Sequence, residues 1–252
     1  VPKDVMPESA NSESTRFMDE YLTKLLRTYA SKLRASHEKG ASMEELEKMV
    51  EGYMEDVHRA LCVSLGTPPE VFDFEVRDKD DKFISEKNIT PQDFFKKYVK
   101  QDLNEYISII NAPTKDKPYN ETYTVDFLGN VVEGKDVKYI NLPIEELKHA
   151  AIEQLKAGEP VWFGCDVGQF FSRDGFVLDL EAVKVDDLFK VDYDMTKEER
   201  LDYSESLMTH AMVFQGVDLD ENGNPTRWRV ENSWGKDAGK DGYLVMTDRW
   251  FD

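Results

Sequence analysis

Apolar residues return every three or four positions through the first part of the chain, with charges between them. Tyr21, Leu22, Leu25, Leu26, Tyr29, Ala30 and Leu33 make one such stripe, so the spacing predicts a helix over 15–39. Met43, Leu46, Met49, Val50, Tyr53, Met54, Val57 and Leu61 make a second, predicting a helix over 42–64. Ser42 followed three residues later by Glu45 reads as its capping box, and Gly40 separates the two helices. Pro68 and Pro69 stop the pattern, and Phe72, Phe74 and Val76 then alternate as in a strand, followed by charged turn residues. "NITPQDFFKKYV" restarts a helix, with Thr90 as cap, Pro91 at its first position and Asp93 completing the box. "NAPTKDKPYNETYTV" reads as loop, punctuated by Pro113, Pro118 and Asn120, and "LPIEELKHAAIEQLKAG" as another capped helix ended by Gly158.

From Pro160 the period changes to two. "PVWFGCDVG", "THAMVFQGVDL", "PTRWRVENSW" and "GYLVMTDRW" are strand candidates with turns rich in Gly, Asn and Asp, and the acidic stretch 180–208 between them reads as partly helical. The expectation is an α+β chain: a helix-rich region over 1–118 and a β-rich region over 119–252. No internal repeat or low-complexity tract is visible.

Composition narrows the function. The 252 residues carry a formal net charge of -19 and no Lys/Arg stripe, which argues against nucleic-acid binding. No apolar run reaches the roughly 18 residues that a membrane span needs. "VPKDVMPESANSE" has neither the basic start nor the apolar core of a signal peptide, and it has no initiator Met. The chain is therefore expected to begin inside a longer polypeptide. Cys62 and Cys165 are too few for a disulfide framework, which points to a reducing cytoplasm. "NIT" at Asn88 and "NET" at Asn120 match the glycosylation triplet and are read as coincidence.

Parity gives the candidate site. His210, Met212 and Phe214 share one face of their strand, and Trp228, Val230 and Asn232 share one face of the next, while Arg227, Arg229 and Glu231 point the other way. The turn "DLDENGNP" joins the two strands as a hairpin. It would set Gly216 near Arg227 and His210 near Asn232, both inward at one rim. An Asn carbonyl that accepts from one imidazole nitrogen fixes tautomer and orientation and leaves the other nitrogen for proton transfer. Beside a thiol, such an imidazole stabilises a thiolate that attacks a peptide carbonyl. Trp234 would exclude water from the Asn–His bond.

"MTHAMVFQGVDLDENGNPTRWRVENSWGKDAGKDGYLVM" resembles the His and Asn segments of papain-like cysteine peptidases, and more narrowly their bleomycin hydrolase and aminopeptidase C branch. "VPKDVMPES", "FDFEVRDKD", "INAPTKDKPYNETYTVDFLGNVV" and "GEPVWFGCDVGQFF" are similar to that branch too. The resemblance implies a papain-like fold in which a helical insertion, here 1–118, precedes a β-barrel-like domain carrying the catalytic His and Asn, here 119–252. It implies His210 as acid and base, Asn232 as its orienter and Trp234 as shield. It also implies peptide substrates with free N-termini, removal of their first residue, and a homo-hexamer with active sites facing an inner chamber.

The departure from the family pattern is large. The nucleophilic Cys near a helix start, the Gln that helps hold the oxyanion and the C-terminal arm are all missing, so the chain is expected to be an internal piece that is inactive alone. Neither local cysteine replaces the nucleophile: Cys62 reads as a small buried hydrophobe on a helix, and Cys165 as a mid-strand wall residue. His37, His58 and His149 lie in charged helical stretches and read as solvated. Asp218, Asp220, Asn222 and Gly223 fit the start of a calcium loop, but its twelfth position is Arg229 and its flanks are strands, so a hairpin turn is expected. Gly235, Gly239 and Gly242 make no phosphate loop and let the chain turn around Trp234. No cofactor or metal is expected. The rival readings are a non-catalytic binding or assembly module and, on thinner grounds, a carboxylate-metal hydrolase.

Overall fold

A computed structural model describes residues 1–10, 14–129 and 134–252. Stretches 11–13 and 130–133, which fall in two of the quoted segments, lie outside the described residues. The chain divides into two compact units, Val1–Leu103 and Asn104–Asp252.

The first unit is built on α1 (Arg16–Glu38) and α2 (Met43–Leu65). Both parts of the capping box at Ser42 are made, and Gly40 and Gly66 take positive φ just past the helix ends. Tyr29 stacks on Tyr53 at 3.9 Å and donates to Asp56 Oδ2 at 2.6 Å, which joins the helices. That bond lowers the Asp56 carboxyl below its ordinary range. Much of the two apolar stripes stays open: Phe17 is 70 % exposed and Met43 67 %. β1 (Phe72–Arg77) pairs antiparallel with β2 (Phe83–Ile89). β2 lies just past the charged turn expected after Val76 and carries no strand signal in the sequence reading; its Ile84 and Glu86 face Val76 and Phe74 across the ladder. The helix after Thr90 is α3 (Pro91–Phe94), continued by one wide turn over Phe95–Val99. Its cap is half of the expected box: Thr90 accepts from the Asp93 N–H, and the returning bond runs between side chains. Phe72, Phe74, Phe94 and Tyr98 gather into one aromatic cluster.

The second unit begins earlier than the predicted β-rich boundary. β3 (Ser108–Ile110) lies parallel to β5 (Tyr139–Asn141), which also pairs antiparallel with β4 (Thr122–Tyr123). Long-range pairing therefore draws residues 104–118 away from the helices. The intervening segment is held by Asn141, which is fully buried. Its amide donates to Ala112 O at 2.9 Å and Lys117 O at 2.7 Å, and its carbonyl accepts from Ala112 N at 2.8 Å. A buried side chain here does the work of a strand partner.

α4 (Ile144–Lys156) follows. It ends at Gly158 as expected, but Pro143 supplies no side-chain cap at its start. The main sheet holds β6 (Val161–Cys165), β7 (Phe171–Ser172), β8 (Val177–Leu178), β9 (His210–Leu219), β10 (Pro225–Glu231) and β11 (Tyr243–Thr247), in the order β6-β9-β10-β11-β8-β7. Where a barrel-like domain is expected, β6 and β7 stand at the two ends of this order, and the two-residue β7 pairs with β8 alone. Short helices α5 (Val185–Phe189) and α6 (Lys197–Asp202) occupy the acidic stretch before β9, and α7 (Asp248–Phe251) follows β11. Met212, Phe214, Trp228, Val230, Leu244 and Met246 form the core with Ala151 and Ile152 of α4. Among the described residues no helix is long and apolar enough to cross a membrane.

Candidate active site at the rim of the six-stranded sheet

β9 and β10 pair two positions away from the expected register: Gly216 faces Arg229 and Asp218 faces Arg227. A bulge at Gln215 takes up one position of the difference, since Arg229 faces Gly216 while Val230 faces Phe214. The bulge also switches parity. Met212 and Phe214 point inward before it, Val217 and Leu219 after it. The end that carries His210 keeps the expected face. Trp228 and Val230 are buried on the same side, and the outward Arg227, Arg229 and Glu231 are exposed.

His210 is the first residue of β9 and stands opposite Cys165, the last of β6. Asn232 lies just past β10, where its N–H donates to Gly242 O at 3.0 Å. His210 Nε2 and Asn232 Oδ1 are 2.9 Å apart. The Ser233 N–H donates to the same Oδ1 at 2.7 Å. The Ser233 N–H marks that atom as the carbonyl oxygen, to which Nε2 can bond only as the donor, so Nε2 is assigned the ring proton. Nδ1 has no hydrogen-bond partner among the described residues. Asn232 Nδ2 is buried and has no hydrogen-bond partner among the described residues. The half-buried imidazole is thereby held in one tautomer with its second nitrogen free for proton transfer.

Trp234 lies over the imidazole, ring centroids 5.1 Å apart and planes 26° apart. Its own outer surface is 45 % exposed. Phe171 of β7, which sequence reasoning missed, packs against the indole at 5.9 Å. Only the pairing of β7 with β8 places it there. The loop from Asn232 to Gly242 needs positive φ at Gly235, Gly239 and Gly242. At Gly239 an added Cβ would run into the Tyr243 carbonyl, so the glycine is demanded by both space and conformation.

Cys165 makes no hydrogen bond to His210 among the described residues. Its thiol packs against the core cluster, and burial, reinforced by the Asp166 charge, pushes it up to about 12. It stays protonated and inert at neutral pH. On α2, Cys62 Sγ sits 3.6 Å and 3.8 Å from the two ring nitrogens of His58. The segment from Asp218 to Gly223 holds the expected hairpin turn. Asp220 Oδ1 accepts from the N–H groups of Asn222 and Asn224, and Asp220 Oδ2 from the Asn224 amide. Among the described residues no three His, Cys, Asp or Glu side chains are grouped to hold a metal ion.

A mixed helix-and-sheet chain with an oriented imidazole at a sheet rim defines a class that the comparisons make specific. The Peptidase C1-like family model matches residues 1–252. Aminopeptidase C of Lactococcus lactis subsp. lactis (strain IL1403) is 50 % identical over 255 residues, covering 100 % of this chain and 57 % of that protein. Mouse (Mus musculus) bleomycin hydrolase is 42 % identical over 256 residues, with 100 % and 56 % covered. The crystal structure of PepW from Lactobacillus rhamnosis HN001 is 52 % identical and superposes with a TM-score of 0.95, covering 100 % of this chain and 56 % of that one. The chain belongs to the Peptidase C1-like family, in its branch of aminopeptidase C and bleomycin hydrolase, and it spans a little over half the length of these relatives.

Proposed function

We propose that this chain carries the acid/base pair of a cysteine aminopeptidase that releases N-terminal amino acids from peptides. The observation that carries the reading is the bond from His210 Nε2 to Asn232 Oδ1, with Nδ1 left unpartnered among the described residues. A thiol beside Nδ1 gives up its proton to the ring. The thiolate attacks the scissile carbonyl, the imidazolium returns the proton to the leaving amine, and the neutral ring then takes a proton from the water that cleaves the thioester. Asn232 holds the ring through both protonation states, and Trp234 covers one face of it.

The protected Cys165 thiol does not suit this role, so we assign the nucleophile to a thiol outside these 252 residues and expect the isolated chain to be inactive. The names of the relatives, aminopeptidase C and bleomycin hydrolase, support peptides with free N-termini as substrates. The exposed Phe17, Tyr21, Met43 and Val63 support association through the helical unit, which we read as assembly into a homo-hexamer. Both cysteines are free, which fits a cytoplasmic location.

In the full-length enzyme, His210→Ala is expected to remove turnover of aminoacyl-coumarin substrates while leaving the thermal transition in place. Turnover retained in that variant, or hydrolysis by the isolated chain that survives Cys165→Ser, would end the reading. A folded oligomer without turnover in any form of the protein would favour the non-catalytic assembly module.

A further inference from the structure

His210 has an awkward place in the fold. It is the first residue of β9, and strand ends fray unless something ties them down. Its ring must nevertheless keep a 2.9 Å bond to Asn232. The segment before it, residues 203–209, holds no helix or strand, and Leu207 and Met208 are largely exposed. What ties it down is the turn that follows β6.

The Asp166 carboxylate reaches across to this segment. Its Oδ2 accepts from the Leu207 N–H at 3.2 Å, and its Oδ1 accepts from the Thr209 hydroxyl at 3.2 Å. The Gln169 amide braces the same carboxylate at 3.4 Å and also donates to Glu205 O at 3.1 Å. The turn itself is closed by Gln169 N–H to Asp166 O at 3.1 Å. It is fixed to the core by Trp250, whose indole N–H donates to Gln169 O at 2.8 Å. The Thr209 N–H donates to Cys165 O at 3.0 Å, extending the β6–β9 ladder by one rung. Tethers at Glu205, Leu207 and Thr209 thus hold the segment that leads into His210.

We propose that Asp166 is a positioning residue for His210: it clamps the entry to β9 and so holds the imidazole in register with Asn232 and under Trp234. The role is one of anchoring, not of charge. An Asn at 166 can present its carbonyl to the Leu207 N–H and its amide to the Thr209 hydroxyl oxygen, which satisfies both sites. An Ala satisfies neither. A ring shifted by about 1 Å at a reacting centre can lose roughly 100-fold in rate without losing substrate affinity.

The proposal rests on the acid/base reading of His210, so the test has two arms. In the first, kcat and KM of the full-length enzyme are compared for Asp166→Ala, Asp166→Asn and Thr209→Val, per folded active site. Asp166→Ala is expected to lose about 100-fold in kcat with KM within about 2-fold, and Asp166→Asn to recover most of that loss. In the second, the Nε2–H resonance of His210 is followed in the histidine-labelled 252-residue chain, assigned by its loss in Asn232→Ala. It is expected to be sharp in wild type and Asp166→Asn and absent in Asp166→Ala. A wild-type kcat or an intact Nε2–H signal in Asp166→Ala overturns the proposal, and so do equal losses in the Ala and Asn variants. Should Asp166→Ala not fold, Thr209→Val decides: a several-fold fall in kcat at unchanged Tm supports the clamp, and wild-type kcat refutes it. If His210→Ala leaves turnover intact, the catalytic reading fails and the resonance arm still decides whether Asp166 positions the ring.

Discussion

Asn232→Ala separates what the Asn does for the fold from what it does for the site. The substitution removes the oxygen that accepts from His210 Nε2 and from the Ser233 N–H. Two such bonds contribute about 1–3 kcal/mol together. It also removes Nδ2, which is buried without a partner among the described residues and so costs the wild-type fold about 1–3 kcal/mol. Ser233 is exposed and His210 half-buried, so water reaches the donors left behind. The two contributions oppose each other, and folding stability should change by no more than about 2 kcal/mol in either direction, or roughly 4–8 °C in Tm. The imidazole, in contrast, loses the contact that fixes its plane, and kcat of the full-length enzyme should fall on the order of 100-fold. Urea denaturation read by tryptophan fluorescence measures the first quantity in the relevant unit, because Trp162, Trp228, Trp234 and Trp250 all lie within Asn104–Asp252. Turnover measures the second. A stability loss above about 3 kcal/mol, or a kcat within about 3-fold of wild type, would refute the bookkeeping that separates the two roles.

Two further outcomes follow from the same sheet. Phe214 is 2 % exposed, stacks on Phe163 at 3.7 Å and touches Trp228 and Phe251 at 5.0 and 5.4 Å. Phe214→Ala should therefore destabilise the second unit by about 3–5 kcal/mol in the same urea experiment, and a loss under about 1 kcal/mol would mean that the core closes over the gap. Cys165 gives a pH signature. Its folded-state value, about 12, lies above the ordinary 9.0, so above about pH 9 the unfolded chain releases a proton that the folded one keeps. Stability then falls as pH rises, by about 1.4 kcal/mol per pH unit up to the folded value. Cys165→Ser should flatten that slope in stability measurements from pH 8 to 11, and an unchanged slope would show that the thiol is not protected.

Much of this architecture is written locally. The α1 and α2 stripes, the Ser42–Glu45 box and the glycine at 158 depend on residues within a turn or two of each other, and each stands where the pattern put it. So do the strands β6, β9, β10 and β11, whose alternation is long enough to read. The shared face of His210 and Asn232 also followed from period two and one hairpin, and the 2.9 Å bond between them agrees with it. β2 escaped notice because Ser85, Glu86, Lys87 and Asn88 interrupt the apolar alternation of its seven residues, and β3, β4 and β5 because two or three residues carry no period. Their strand character comes from partners far along the chain, as in Ser108 opposite Tyr139.

By itself, then, the sequence determined the type of the long elements, the inward face of the strand ends that carry His210 and Asn232, and the residue types able to hold and use an imidazole. Tertiary structure decided the rest. The pairing of β9 with β10 set Gly216 two residues from its expected partner and the Gln215 bulge shifted the register by one, Phe171 arrived beside Trp234 through a short edge strand, and Asp166 met Thr209 across 43 positions. The physical reason is range. Periodicity and capping are set by neighbours within one turn or one pleat, whereas register, clamping and the protonation of a thiol such as Cys165 depend on which distant groups close over it and exclude water.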